Sequence, residues 1–369
     1  MNKDVMEQLR NDIITWLDKM SAGLEPGRFR YCSKGSLMPT TGPQAQMPTC
    51  FAMKIAWQIG LWDTWEKEKR DACVDFIKSF QKPDGYFYDP WLAKSAKIRL
   101  KEYILLLLGR ISWQPLKERP IENIRAETRQ SASTLLMVGE APKYPMPQEI
   151  NTVDEAVEFV HGLDWRNPWG GGSHFSHQLF MLTVNGEYFD KPKNKEIIEA
   201  MLDALSKYHD PKTGTWWSVQ NTSDYYKING AMKIYSGLQW LPNPYSESKV
   251  LLDYALEQPF EEDGCGVLNR LFVVYQAHLS CPENYRKKEI KELAEKALVE
   301  FLKFRGTDGA FSFFMNAAQK SYYGARVSRG ENVSDIHGTT MFVWAIAITL
   351  ELLGQNAKSG QSLWTPHKA

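Results

Sequence analysis

Val333-Ser-Asp-Ile-His-Gly-Thr-Thr-Met-Phe-Val-Trp-Ala-Ile-Ala-Ile-Thr-Leu-Glu-Leu-Leu353 is the stretch whose reading decides the fold. Asp335, His337, Thr339 and Thr340 crowd its start, while Met341 to Leu350 carry no charge. A helix apolar on all sides must be buried on all sides, so this one belongs to the inner layer of a two-layer helical domain. Its free N–H groups and positive dipole end then open onto whatever the layer encloses.

Outward from this helix the chain alternates between two kinds of segment. Amphipathic, outer-type segments run over Lys3–Met20, Thr64–Phe80, Val153–Gly162, Lys193–Tyr208, Ser246–Leu256 and Tyr285–Phe304. Nearly uncharged, inner-type segments run over Thr49–Leu61, Thr128–Val138, His174–Val184, Ile228–Trp240, Leu268–Leu279 and Gly338–Leu353. Apolar residues at helical spacing on one face define the first kind, and apolar residues on every face the second. Trp91–Gly109 reads as an additional helix, and Arg110–Arg125, broken by Pro115 and Pro120, as irregular. Two internal echoes mark a repeat architecture. Ala52-Met-Lys-Ile55 returns as Ala231-Met-Lys-Ile234, each inside an inner segment. Four turns place Gly after an outer helix: Gln81-Lys-Pro-Asp-Gly-Tyr-Phe87, Asp210-Pro-Lys-Thr-Gly-Thr-Trp216, Glu262-Asp-Gly-Cys-Gly266 and Gly306-Thr-Asp-Gly-Ala-Phe311. Glycine takes the left-handed turn that ends the helix, and the aromatic plugs the joint between hairpins. The expectation is a single all-α domain over residues 1–369, an (α/α)6 toroid of six helical hairpins around a central cavity.

Composition narrows the functional classes. Lys plus Arg equals Asp plus Glu at 44 each, so nothing points to nucleic acid as a partner. The longest apolar run, Ile104–Leu108, is far too short to span a bilayer, and the N-terminus has no apolar leader; the expectation is a cytoplasmic protein. Five cysteines without CxxC spacing suit reduced thiols. The supply of 13 Trp, 16 Tyr and 17 Phe can line a cavity or fill a core.

The turn pattern resembles the repeat of the terpenoid cyclase and protein prenyltransferase α/α-toroid superfamily. That resemblance implies a six-hairpin ring holding an isoprenoid-like or other apolar-tailed substrate in an aromatic-lined cavity. In class II cyclases an Asp-x-Asp-Asp-Thr motif protonates an alkene; here Asp335-Ile-His-Gly-Thr339 stands in the similar place, with His337 and Gly338 where aspartates would be. In prenyltransferases an Asp-x-Cys and a later His bind zinc, which the resemblance carries to Asp263, Cys265 and His337. The competing reading makes Cys265 a structural residue and the protein free of cofactor.

Other candidates stand on their own residues. In Trp165-Arg-Asn-Pro-Trp-Gly-Gly-Gly-Ser-His-Phe-Ser-His177, three glycines either let backbone approach an anion or simply pack. His174 and His177, three apart, suit proton transfer or helix capping. Tyr323, Arg326 and Arg329 hang over the expected mouth, as do Tyr226 and Asn229, with Trp169 and Trp217 as binding aromatics. Arg and Lys beside His and Tyr suit a diphosphate or a uronate. Lys54 and Lys233, alone in apolar helices, mark either cavity-facing binding sites or salt bridges between units. The alternative function is therefore a carbohydrate-active (α/α)6 barrel, a glycoside hydrolase or a lyase acting on an acidic sugar. There His174, His177, Tyr323 and Arg326 supply acid, base and carboxylate neutraliser, beside His337 and Asp335 as the catalytic pair of the first reading. A helical scaffold without catalysis is the third possibility.

Overall fold

The computed structural model describes residues 3–95, 104, 106–109, 114–242, 248–260, 263–355 and 364–369, with the backbone alone for 3, 93–95 and 114–120. Thirteen helices are described: α1 Lys3–Ser21, α2 Met47–Gln58, α3 Lys67–Lys78, α4 Pro90–Ser95, α5 Gln114–Met137, α6 Val153–Gly162, α7 Pro168–Tyr188, α8 Asn194–Ser206, α9 Asp224–Leu238, α10 Lys249–Glu257, α11 Gly264–Leu279, α12 Lys287–Leu302 and α13 Ile336–Leu352. A two-stranded hairpin, β1 Ser321–Tyr322 and β2 Ala325–Arg326, is the sheet among the described residues.

The inner helices close a ring. α2 packs on α5, α5 on α7, α7 on α9, α9 on α11, α11 on α13, and α13 returns to α2. The outer helices α3, α8, α10 and α12 lie against them, α6 packs on α8, and α1 turns its buried face, Leu9, Ile13, Trp16 and Leu17, to the same core. The division follows from the side chains. On α13 every residue from Ile336 to Leu350 except Met341 is buried, whereas α12 buries one stripe and exposes its Lys and Glu residues. Each Leu, Ile or Phe so covered contributes about 1.5–3 kcal/mol. The all-α six-hairpin ring is thus the observed architecture, and Ala52–Ile55 and Ala231–Ile234 sit on α2 and α9, three helices apart and so opposite one another.

Three of the four Gly turns are copies of one another. Gln81 bridges Phe87, His209 bridges Trp216 and Arg305 bridges Phe311, with Gly85, Gly214 and Gly309 at φ +90°, +69° and +98°. The backbone N–H groups of Phe87 and Phe311 donate to Thr128 and Thr339 on the next inner helix, which fixes the joint. The fourth turn departs: Gly264 already belongs to α11, and Asp263 is its N-cap, accepting from Gly266 N at 2.9 Å. Glu262, like Ser246 and Glu247 of the fifth outer segment, lies outside the described residues.

The region read as irregular, Arg110–Arg125, is helical from Gln114 onward; residues 110–113 lie outside the described ones. Pro115 falls in the first turn, where its missing N–H costs nothing, and Pro120 removes one bond from a helix that neighbours hold in place. Of the additional helix over Trp91–Gly109, Pro90–Ser95 is helical, and residues 96–103 and 105 lie outside the described set. Among the described residues no helix is long and apolar enough to cross a membrane.

Candidate active site

The ring encloses a cavity of about 110 Å³ lined by α2, α5, α7, α9 and α13, by Tyr322 and Tyr323 of the hairpin, and by His367 and Ala369. In the measure where one water needs about 10–15 Å³, this is room for several waters or one compact polar group. Cations dominate the lining. Lys54, Arg129 and Lys233 all face the cavity, and among the described residues none of them has an Asp or Glu partner, while Arg129 Nη2 approaches Ala369 O at 3.4 Å.

Lys54 is almost fully buried and donates to Ser133 Oγ at 3.2 Å. Burial, and then Arg129, pull its ammonium down to about 7. Lys233 is lowered for the same reason. Arg129 spends its guanidinium on Ser176 Oγ (2.7 Å), Ser236 O (2.6 Å) and Ser236 Oγ (3.0 Å), tying α5 to α7 and α9. These partners are neutral, and Nη2 also lies 3.4 Å from Ala369 O.

Two titratable side chains, His177 and Tyr323, share the cavity. His177 is buried, its Nδ1 lacks a protein partner, and burial followed by Arg129, His174 and Lys233 holds it well below the usual imidazole range; it is a neutral base. Tyr323 stands in the two-residue turn of the hairpin, at φ +43° followed by Gly324 at +81°. Both residues of such a turn need positive φ, which is strained for an aromatic side chain. Asn123 Nδ2 donates to its carbonyl at 3.2 Å. Tyr323 is 42% exposed and lines the cavity, and desolvation, with Glu127 next, raises the phenol; the hydroxyl keeps its proton.

His337 stands beside the cavity, its ring stacked between Phe51 at 4.8 Å and Phe313 at 5.1 Å. Nδ1 lies 2.6 Å from Gln319 Oε1, which also accepts from Tyr31 Oη at 2.9 Å. A carbonyl oxygen only accepts, so Nδ1 carries the hydrogen and Nε2 keeps its lone pair. Burial, then Lys233, lowers this imidazole to about 3. A ring held neutral and clamped by two aromatics serves as wall and hydrogen-bonding group, and cannot act as an acid.

Several expectations are corrected. Asp335 is a structural hub: Oδ1 caps α13 by accepting from Gly338 N at 2.8 Å, and Oδ2 accepts from Phe313 N at 2.9 Å and Gln319 N at 3.1 Å. With both oxygens engaged and the residue fully buried, it has no face for a substrate, although burial raises it to about 6. The zinc set is not assembled: Asp263 is used as a cap, and among the described residues no group of three His, Cys, Asp or Glu could hold a metal. The glycines 170–172 lie inside α7, and Gly172 is needed because a Cβ there would meet Gly230 O at 2.9 Å; they serve helix packing. Arg326 and Arg329 are exposed and outside the lining. His174 is held by Glu122 at 3.1 Å. Asn229 is buried between Tyr225 O at 2.7 Å and Asn269. Trp169 and Tyr226 form an edge-on cluster with Tyr225 at the starts of α7 and α9, and Trp217 lies under Lys227. Arg129, Gln130, Trp344 and His367 line the cavity and were missed. An arginine in an inner-type helix, like Lys54 and Lys233, was the signal available for the first.

No protein-family model matches the sequence, and no curated protein does. Among solved structures, the GH76A α-1,6-mannanase of Salegentibacter sp. HEL1_6 is similar at a TM-score of 0.40 and 11% identity, over 94% of this chain and 99% of that one. The GH76 α-mannanase of Bacteroides thetaiotaomicron is similar at 0.41 and 10%, over 95% and 96%. Neither is a terpenoid cyclase or prenyltransferase, and the resemblance drawn from the Gly turns is corrected accordingly. The cavity supplies the physical reason, since its cationic lining and small volume offer no dry funnel to an isoprenoid tail. The turns are the mark of stacked hairpins, and at this degree of likeness to the mannanases neither family nor reaction transfers.

Proposed function

We propose that the protein is a carbohydrate-active enzyme that takes an acidic sugar into the central cavity and cleaves its glycosidic bond by β-elimination. The observation that supports this is the set of three cavity-lining cations, Lys54 and Arg129 buried and Lys233 partly so, without an Asp or Glu partner among the described residues. Burying one uncompensated charge is costly and burying two beside a third more so, unless an anion completes the site. A uronate carboxylate, met by Lys233 and Arg129, has its charge neutralised, which acidifies the adjacent C5–H. His177 takes that proton; the electron pair forms the C4=C5 double bond as the C4–O bond breaks; Tyr323 gives its proton to the departing oxygen. No oxidant or metal is needed. Hydrolysis, by contrast, ordinarily uses two carboxyl groups about 5–9 Å apart, and no Asp or Glu is among the cavity-lining residues.

The test is a panel of polyuronides, including polygalacturonate, polyglucuronate and polymannuronate, followed by the ultraviolet absorbance of the unsaturated product and by reducing ends. Absorbance rising in step with reducing ends supports elimination. Reducing ends without absorbance, on products that carry the full mass of hydrolysed uronides, mean hydrolysis, whereas single residues lighter by one water are elimination products that have opened to the keto form; no reaction on any acidic polymer removes the proposal.

A further inference from the structure

Residues 364–369 run across the end of the ring where the inner helices finish. Thr365 N donates to Gln58 O, at the end of α2, at 2.8 Å. The His367 ring lies 4.3 Å from Trp344 of α13. Lys368 stands over the Trp240 ring, and Trp240 Nε1 donates to Ala369 O at 2.9 Å just past the end of α9; Arg129 Nη2 approaches the same oxygen at 3.4 Å. Since α2 and α9 are opposite members of the ring, this short segment spans its diameter. Trp364 and His367 are both about 5% exposed, so it is seated rather than draped. His367 and Ala369 are themselves part of the cavity lining, and His367 Nδ1 has no protein partner.

From this we infer that the segment is a floor that makes the cavity blind, so that the enzyme receives one end of a saccharide chain through the mouth and removes residues from that end. The inference rests on the acidic-sugar reading above and adds the mode of attack. A cavity open at both ends would let a polymer thread through and be cut internally. A blind one of about 110 Å³ accepts a terminal residue and leaves the rest of the chain outside, at the end of the ring where α7 and α9 begin and Trp169, Tyr225 and Tyr226 cluster. His367 is then a positioning residue that meets the buried end of the sugar.

The experiment has two arms. In the first, the wild-type protein digests whichever polyuronide supports elimination, and products are sized by mass spectrometry while viscosity is followed. Single residues from the earliest times with slowly falling viscosity are expected; a ladder of intermediate oligomers with an early collapse of viscosity overturns the inference. His367→Ala in the full chain should raise KM about threefold to tenfold, the effect of losing one hydrogen bond, with kcat within about twofold; an unchanged KM overturns the role of His367. The second arm needs no substrate. Acetylation of Lys54 by a small acylating ester, mapped by peptide mass, should accelerate at least several-fold in a variant lacking residues 364–369 whose circular dichroism matches wild type. Equal labelling rates mean that the segment is not the floor. Should that variant fail to fold, Thr365→Pro, which removes the bond to Gln58, takes its place with the same expectation. Absence of elimination on every polyuronide removes the proposed reaction instead, while the labelling still decides whether the cavity is blind.

Discussion

Lys54→Met should make the protein more stable, and in a way that depends on pH. Methionine keeps most of the side-chain volume and deletes the charge. Ser133 Oγ, the ammonium's acceptor, also donates to Gln130 O at 3.2 Å, so it is not orphaned by the change. The ammonium falls from 10.5 to about 7 in the folded protein. At about 1.4 kcal/mol per pH unit, that displacement sets a ceiling of roughly 5 kcal/mol on what the charged lysine costs, and relaxation around the cavity brings the expected gain to about 2–4 kcal/mol. The sign follows from proton counting. Below pH 7 the lysine is charged in both states and the full cost is present. Between pH 7 and 10.5 the unfolded chain binds a proton that the folded one does not, so wild-type stability rises with pH through this window. Above it the cost is gone. Urea unfolding at pH 6, 8 and 9.5 should therefore show the variant's advantage greatest at pH 6 and shrinking with each step. A variant no more stable than wild type at pH 6, or an advantage that does not change with pH, would refute the reasoning. Sulfate added at constant ionic strength should narrow the gap at pH 6, because an anion in the cavity relieves the charge in wild type alone.

Other outcomes can be checked alongside. Tyr323→Phe and His177→Gln should each lower kcat on an acidic polymer by 100-fold or more, the usual yield of a positioned acid or base, with melting temperatures close to wild type; retention of turnover by either moves the chemistry elsewhere. Asp335→Ala should cost about 2–4 kcal/mol in urea unfolding, because it strands the N–H groups of Gly338, Phe313 and Gln319; a change below 1 kcal/mol would mean that water replaces the carboxylate. Gly172→Ala should destabilise by about 1–3 kcal/mol, since its methyl meets Gly230 O, and a neutral result would show that α7 and α9 can part freely. Arg326→Ala should leave both stability and turnover within error, its exposed side chain being outside the cavity.

The ring was legible because burial leaves a periodic trace. Charge on one face of α12 and on almost none of α13 separates outer from inner layers, and Gly85, Gly214 and Gly309 repeat a backbone conformation that few other residues adopt. The site was legible only in part. Lys54 and Lys233 betrayed the cavity because a charge inside an apolar helix needs a wet or anionic neighbour. The Asp335 motif misled because an N-cap and a catalytic carboxylate use the same residue at the same helix position, and only the three N–H groups around it distinguish them. The Gly170–Gly172 run misled for a similar reason: glycine at a ligand and glycine at a close helix crossing are the same letter. His367 left no trace in the periodicity, since a short segment held by tertiary contacts carries no pattern of its own.

The seam between α2 and α13 has a kinetic consequence. Every other pair of adjacent inner helices belongs to consecutive hairpins, but this pair joins the two ends of the chain, with Tyr31 bonded to Asp335 across 304 positions and Ile336 N to Tyr31 O at 2.9 Å. Each doubling of a loop adds about 0.6 kcal/mol to its closure, so this contact costs about 1.5 kcal/mol more than a neighbouring-hairpin contact before any packing is gained. Folding should proceed hairpin by hairpin to an open arc and end with a slow closing step. The cavity exists only after that step. A bound anion would therefore draw the arc shut, and the amide of Ile336 would be the place to watch it: its hydrogen exchange should report the opening of the seam and slow as ligand is added.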